Sequence, residues 1–217
     1  EALVLAKDKP NSFLHISRPE IDLPEGTDPY SPQVYEKAKV NLKSLVDKGV
    51  LVRDDEACFF VYRLTGRGVS QLGLVVSASV DAYDQNRIRK HEFTRPEKED
   101  DRVRQIDELS VQTGPVLLAY PSSKDIDAII ASESTRDSDS DVLDADGVRH
   151  ELWMISSAEK IAQLVALFDD LPALYIADGH HRSAAASRVQ KLKMSRGAQV
   201  VAGPKSYDYF LAVAFPQ

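Results

Sequence analysis

The segment Ala173–Ala186 has the sequence ALYIADGHHRSAAA. It predicts a short apolar strand, a tight turn at Asp178-Gly179, and an Ala-rich helix that runs to about Met194. Gly179 provides the backbone freedom that a tight strand-to-helix turn requires. The first helical turn carries His180, His181 and Arg182, although the positive end of the helix dipole favours acidic residues there. Free N–H groups together with these side chains predict a site for an anion, and phosphate is the natural candidate.

Asp178 has two possible roles at this turn. Its carboxylate can cap the helix by accepting a backbone N–H. Alternatively, it can hold a magnesium ion that bridges phosphate oxygens. A third interpretation gives the turn no function and leaves an N-capping Asp178 followed by surface His and Arg side chains.

A second polar cluster lies in the segment Lys90–Pro96, with the sequence KHEFTRP. Adjacent His91 and Glu92 on an irregular segment can supply a base and its orienting partner, or two metal ligands. A zincin motif is excluded because no histidine follows at the required spacing. The alternative is an exposed charged loop without a function.

These stretches resemble the signature of a bacterial family, the domain of unknown function numbered 1015. The core of the resemblance is Ile176–Ala185. Three further groups of residues match: Asn11–His15 with Arg18, Pro19 and Glu20; Lys90, His91 and Glu92 with Thr94, Arg95 and Pro96; and Asp146 and Gly147 with His150 and Trp153. The resemblance favours Glu92 as a general base and His91 as a phosphate or metal contact.

The turn is also similar to the phosphate-binding motif of the ParB and sulfiredoxin superfamily, which includes a free-serine kinase. That kinase has Asp-Gly-His-x-Arg, matched here by Asp178, Gly179, His180 and Arg182. The resemblance implies a ParB/sulfiredoxin-like core around residues 173–194. Sulfiredoxin has its catalytic cysteine where His180 stands, so sulfinic-acid reduction is not implied.

The composition is that of an ordinary globular protein. The 217 residues are 43% hydrophobic and 28% charged, with a net charge of −7. The acidic balance argues against nucleic acid or an anionic membrane as partner, and no apolar run reaches membrane-spanning length. Cys58 is the only cysteine, so an intrachain disulfide is excluded and a cytoplasmic location is expected. Because the chain begins at Glu1 and ends just after an apolar strand, we expect a fragment truncated at both ends.

Strands and helices alternate irregularly along the chain, which predicts an α+β class with a mixed or largely antiparallel sheet. We expect one domain over residues 1–217, with a possible subdivision into 1–120 and 121–217. Predicted strands are 12–17, 50–53, 57–65, 69–80, 115–120, the two arms of a hairpin at 142–143 and 148–155, the apolar strand before Asp178, and 207–215. The segment 196–205 is predicted to be a flexible loop.

The leading functional hypothesis is a nucleotide-dependent phosphoryl-transfer enzyme, either a small-molecule kinase or a nucleotide hydrolase. Gly179, His180, His181 and Arg182 bind the phosphates, and Asp178 holds Mg²⁺. Residues assigned to catalysis are Glu92, His91, Asp178 and His180. The expected ligands are Mg²⁺ with ATP, ADP or CTP, and a small hydroxylated acceptor is implied by the similarity to the serine kinase.

Two alternatives remain open at this point. The first is a nucleotide-gated, ParB-like binding module without robust turnover, in which the same turn drives a conformational switch. The second is a metal-dependent hydrolase that uses His91, Glu92, Asp178, His180 and His181 as ligands and base. The sequence leaves the oligomeric state undefined.

Overall fold

The computed structural model describes residues 2–197 and 203–217, and these residues form a mixed α+β fold. The strands are β1 (Phe59–Gly66), β2 (Val69–Ser79), β3 (Ile88–Arg89), β4 (Val116–Tyr120), β5 (Ser140–Leu143), β6 (Arg149–Ile155), β7 (Leu174–Asp178) and β8 (Tyr209–Pro216). The α-helices are α1 (Ala2–Ala6), α2 (Leu14–Ser17), α3 (Pro32–Asp47), α4 (Val80–Asp84), α5 (Pro96–Leu109), α6 (Lys124–Glu133), α7 (Ala158–Asp169) and α8 (His180–Ser195).

All of these strands belong to one sheet with the order β3-β7-β4-β8-β2-β1-β6-β5. The β3–β7 and β4–β8 pairs are parallel, and the remaining neighbours are antiparallel. The predicted α+β class with a mixed sheet is therefore confirmed. Strands from both the 1–120 and the 121–217 segments lie side by side in this sheet.

The core lies mainly between the sheet and its helices. The largest fully buried side chains include Trp153, Tyr120, Phe210 and Leu74. Helices α6 and α7 pack on each other, and α6 also contacts β2. Helix α8 contacts β4 and β8 of the sheet. Helix α5 packs on α8, and α3 packs in turn on α5. The small residues of α8, with Ala185 fully buried, allow α5 to approach closely.

Two predicted strands are wrong. Residues 12–17 form a turn at Ser12-Phe13 followed by the short helix α2, and the fully buried Ile16 packs with Ala38 and Leu45 of α3. Residues 50–53 lie outside the sheet, because the N–H groups of Val50 and Leu51 donate to the Leu45 carbonyl at 2.9 and 3.2 Å. Those bonds close the C-terminal end of α3 instead of pairing with a strand.

The predicted hairpin is confirmed, with β5 and β6 joined by a turn at Asp144–Gly147. The strand, turn and helix predicted around Asp178-Gly179 are confirmed as well, since β7 leads through Gly179 into α8. Within the predicted loop 196–205, residues 198–202 lie outside the described residues.

Candidate functional site

The turn between β7 and α8 requires glycine. Gly179 has φ +95°, a left-handed conformation that side chains disfavour, and a Cβ there would lie 3.2 Å from the Val116 Cα. The N–H groups of Arg182 and Ser183 donate to the Gly179 carbonyl at 2.9 and 3.1 Å. The preceding N–H groups, those of His180 and His181, therefore point out of the start of α8 without a helical partner.

Asp178 does not cap this helix. Gly179 is the N-cap residue and the cap has no side-chain hydrogen bond. The Asp178 carboxylate instead lies 3.7 Å from the Arg182 guanidinium, and its side chain is 77% exposed. The carboxylate of Asp178 is thus accessible to a ligand.

The structure brings the second polar cluster to this turn through the sheet. Strand β3 pairs in parallel with β7, Ile88 opposite Leu174 and Arg89 opposite Tyr175, so both strands end at the same edge. The residues that follow β3 then lie beside the first turn of α8. The His91 and His180 rings meet edge to face with centroids 4.5 Å apart. Glu92 Oε2 lies 3.6 Å from His180 Nδ1.

His180 is buried, and its surroundings favour the neutral form of the imidazole. The residue is 5% exposed, and its Nε2 has no hydrogen-bond partner in the described part of the chain. Burial lowers the His180 pKa from its ordinary value of 6.5, and neighbouring His91 lowers it further, against the opposing effect of Glu92. A neutral imidazole beside a carboxylate can orient that carboxylate or relay a proton.

His181 is held by the loop that carries Glu92. The Arg95 backbone N–H donates to His181 Nε2 at 3.0 Å. Since Nε2 acts as an acceptor, the proton of the neutral ring lies on Nδ1. Only Nδ1 remains to contact a ligand such as the predicted phosphate.

Arg182 combines an anchoring role with partial exposure. Its Nη1 donates to the Pro115 carbonyl at 3.0 Å, and the side chain lies against Gly114. The side chain is nevertheless 38% exposed and lines the cleft at the start of α8, so part of the guanidinium is accessible to an anion.

These groups line a cleft of about 420 Å³. Its walls are Tyr30, Glu92, Lys98, Asp101, Arg102, Asp178, Gly179, His180, His181 and Arg182. Three cations and three carboxylates face the same space, a mixture suited to a phosphate ester with a bound divalent ion. We name this space the phosphate cleft, after the ligand that the sequence predicts for it.

Sequence reasoning missed the wall formed by Tyr30, Lys98, Asp101 and Arg102. Asp101 lies in a run of charged residues that is typical of a solvated helix face, yet it accepts a 2.7 Å hydrogen bond from the Tyr35 hydroxyl. Lys98 and Arg102 lie on the same helix, α5. No local pattern relates these residues to the turn at Gly179, because only the packing of α5 on α8 brings them together.

A preformed set of metal ligands is not evident in residues 2–197 and 203–217. No group of three or more His, Cys, Asp and Glu side chains in these ranges is arranged to hold a metal ion. Asp178 fits a Mg²⁺ site as a single exposed ligand, because Mg²⁺ commonly takes one or two carboxylates and completes its shell with water and phosphate oxygens.

Other residues considered from the sequence lie away from the cleft. His15 is paired with Asp22 at 2.9 Å, and its carbonyl accepts from Asn41, which indicates a structural role. His150 lies between the Tyr62 hydroxyl and Asp144 on the β5–β6 hairpin. Burial and nearby Asp54 raise the pKa of the Cys58 thiol, which disfavours a thiolate nucleophile.

The family assignment follows from the whole length of the chain. A family model described as "Protein of unknown function (DUF1015)" matches residues 1–217. The chain belongs to the DUF1015 family. The resemblance noted from the motif residues is thereby confirmed at the level of this family. No curated protein and no solved structure matches this DUF1015 chain. Among its described residues, no helix has both the length and the apolar character needed to cross a membrane.

Proposed function

We propose that this DUF1015 protein is a nucleotide-dependent phosphoryl-transfer enzyme, a small-molecule kinase or a nucleotide hydrolase, and that its reaction takes place in the phosphate cleft. The observation that supports this most strongly is the juxtaposition of the open N-terminus of α8 with the His180–Glu92 pair. The N-terminus of α8 would bind the anion, and Glu92 would act as the base.

The phosphates bind at the start of α8. The N–H groups of His180 and His181 and the positive end of the helix dipole attract anionic oxygens. Arg182 donates to the Pro115 carbonyl, so its guanidinium is positioned before a ligand arrives. Lys98 supplies a further cation from α5. Phosphoryl transfer depends mainly on such positioning and charge stabilisation.

Glu92 accepts the proton of the attacking hydroxyl or water. Its side chain is 62% exposed in the cleft while the neighbouring His180 side chain is 4% exposed. His180, kept neutral, positions the Glu92 carboxylate without competing with the phosphates for charge. His91 packs on the His180 ring and fixes its orientation.

Asp178 holds a Mg²⁺ ion in this proposal. A Mg²⁺ ion held by Asp178 would supply positive charge that offsets the negative charge of the nucleotide phosphates. The Asp178 carboxylate also lies 3.7 Å from the Arg182 guanidinium. The guanidinium would therefore contact the phosphates of a nucleotide, while the neighbouring carboxylate would hold its Mg²⁺ ion.

The similarity of Asp178, Gly179, His180 and Arg182 to the free-serine kinase motif supports a ParB/sulfiredoxin-like core and a small hydroxylated acceptor. The ParB side of that similarity suggests a nucleotide-gated switch instead of an enzyme. Phosphate release separates these candidates, because a switch turns over slowly or not at all without its partner. We prefer the enzyme, since the base Glu92 and the anion site lie within one cleft.

Isothermal titration with ATP, ADP and CTP in the presence of Mg²⁺ tests the proposal. We expect at least one of them to bind, and an assay for nucleotide turnover with small hydroxylated acceptors should then detect product. Failure of all three nucleotides to bind at millimolar concentration would refute the proposed function. A stoichiometric transition metal in the purified protein would instead favour a metal-dependent hydrolase.

A further inference from the structure

A second pocket adjoins the phosphate cleft. It has a volume of about 300 Å³ and shares Tyr30, Asp101 and Arg102 with that cleft. Its own walls come from the loop before α3 and from the faces of α3 and α5, and they include Pro19, Pro29, Tyr35 and Gln105. The two pockets are therefore neighbouring compartments, each of a size that fits part of a small ligand.

Two tyrosines, Tyr30 and Tyr35, contribute to the walls of this second pocket. Tyr35 is buried, and its hydroxyl donates to Asp101 at 2.7 Å, which fixes the ring. Tyr30 is 55% exposed, so much of its ring is free to contact a ligand. Its backbone N–H donates to Asp28, so the loop that carries the ring is held in place.

Gln105 contributes an oriented amide to the wall of this pocket. The residue is 6% exposed, and its Oε1 accepts from Arg102 Nη1 at 2.9 Å. Arginine is only a donor, so this bond fixes the orientation of the amide. Gln105 Nε2 makes no hydrogen bond within the described residues, although the side chain lines the pocket. Among the described residues only His180 Nε2 is both buried and unpaired, so Gln105 Nε2 is a donor that water reaches and that a ligand in the pocket can engage.

We propose that this second pocket binds the nucleobase of a nucleotide whose phosphates lie in the phosphate cleft. Tyr30 stacks on the face of the base, and Gln105 Nε2 donates to a ring nitrogen or carbonyl oxygen at its edge. Adenine and cytosine both present such acceptors. Arg102, which lines both compartments, lies where the sugar connects base and phosphates. This inference rests on the proposed function and adds the residues that recognise the nucleoside.

The test compares two probes that differ in the base. Mg²⁺–ATP carries the base, and Mg²⁺–tripolyphosphate retains only the phosphates. With the intact protein, we expect titration to give an affinity for ATP at least about tenfold higher than for tripolyphosphate. Binding of tripolyphosphate with equal affinity would overturn the base pocket while leaving the phosphate cleft intact. Binding of neither probe would instead refute the proposed function.

Three tyrosine variants locate the effect. Tyr30→Ala is expected to lower ATP affinity about tenfold and tripolyphosphate affinity by less than about threefold, because only the base stacks on the ring. Tyr30→Phe should restore ATP affinity to within about threefold of the original protein. Tyr175→Ala is the control, since Tyr175 is also partly exposed, at 36%, but lies on β7 away from both pockets. Equal ATP affinity in Tyr30→Ala and Tyr175→Ala would overturn the proposal.

Gln105→Met tests the edge contact. Methionine has a similar length and no donor, so we expect ATP affinity to fall about fivefold with tripolyphosphate affinity retained. Retained tripolyphosphate binding also demonstrates a folded cleft. Unchanged ATP affinity in a folded Gln105→Met protein would overturn the role of Gln105. If this variant fails to fold, the Tyr30→Ala and Tyr30→Phe pair decides the proposal.

Discussion

Arg182 and Arg188 project from the same helix into different surroundings. Arg182 lines the phosphate cleft, whereas Arg188 pairs with Glu99 and Asp100 of α5 at 2.8 and 2.7 Å. Their side chains are similarly exposed, at 38% and 42%. We expect Arg182→Ala to weaken nucleotide binding by about 2 kcal/mol, roughly thirtyfold, through loss of a charge-assisted contact.

Arg188→Ala is the matched control for Arg182. It removes surface ion pairs between α8 and α5, so it should lower stability slightly and change nucleotide affinity less than about threefold. Arg182→Lys should restore binding only in part, because a point charge does not replace a planar fork. If both alanine variants bind alike, or if Arg182→Ala unfolds, then Arg182 serves as an anchor for the Pro115 loop.

Glu92 should separate catalysis from binding. Glu92→Gln keeps the shape of the side chain but removes the base, so we expect turnover to fall by about 10²-fold or more. Nucleotide affinity should change much less. Glu97→Gln, an exposed change in the first turn of α5, is the control. Equal turnover in the two variants would exclude Glu92 as the base.

His180 gives the protein a pH-dependent stability with a defined sign. Its pKa is below 6.5 in the folded state, so the unfolded chain binds more protons in the window beneath that value. The free energy of unfolding should therefore decrease as pH falls from 7.5 towards 5. Urea denaturation of His180→Gln should show a weaker decrease over this range. An identical pH profile would contradict the burial of a neutral His180.

At the scale of elements, the segment between β3 and α5 is fastened at two points. Arg95 N–H donates to His181, and Thr94 Oγ1 donates to Glu99 at 2.7 Å. We expect His181→Ala to accelerate hydrogen exchange of the Arg95 amide about fivefold, because its acceptor is lost. Thr94→Val breaks the other contact and should affect that amide less. Unaltered Arg95 exchange in His181→Ala would show that the bond does not hold the segment.

The elements with clear periodicity were predictable, and the errors fall where local backbone bonding decides. The β5–β6 hairpin and the β7–α8 unit follow from apolar alternation and glycine turns. Residues 12–17 are too short for their pattern to distinguish a strand from a helical turn, and packing of Ile16 on α3 selects the helix. Val50 was predicted to pair in a sheet, but its N–H satisfies an open carbonyl at the end of α3.

At the scale of the whole molecule, the pairing of β2 with β8 joins the β5–β6 hairpin side of the sheet to the side that carries the phosphate cleft. Gly73 lies in this seam. A Cβ there would lie 2.8 Å from the Ala214 carbonyl oxygen and 2.8 Å from the Phe215 ring. A methyl group at this position would displace the backbone of the paired strand β8. We therefore expect Gly73→Ala to lower the free energy of unfolding by about 1–3 kcal/mol.

Gly66→Ala is the control for that change. Its new methyl group would meet only the Val148 side chain, at 3.0 Å, which can adjust. The reduced entropy of the unfolded chain offsets part of the cost, so we expect a change within about 1 kcal/mol. Urea denaturation measures both variants. Equal stability of the two would mean that the β2–β8 seam accommodates a side chain.

Only part of the candidate site was predictable from the sequence, because its other residues come together through the packing of distant segments. Residues 178–182 and 91–92 are visible because each forms a dense local run of polar groups. Tyr30, Arg102 and Gln105 reach the two pockets through packing of distant segments, and a single sequence carries no record of such contacts. His181 illustrates the same limit, because its bond to Arg95 spans 86 positions along the chain.

The position of β8 has a consequence for biosynthesis. It follows the other seven described strands in the chain, yet it lies in the middle of the sheet between β4 and β2. While a ribosome is still making residues 209–216, the two halves of the sheet have no strand to connect them. Each half then presents an open edge to the crowded cell, the kind of surface that chaperones shield. The nascent chain gains a continuous sheet, and with it a supported phosphate cleft, only when this strand has emerged.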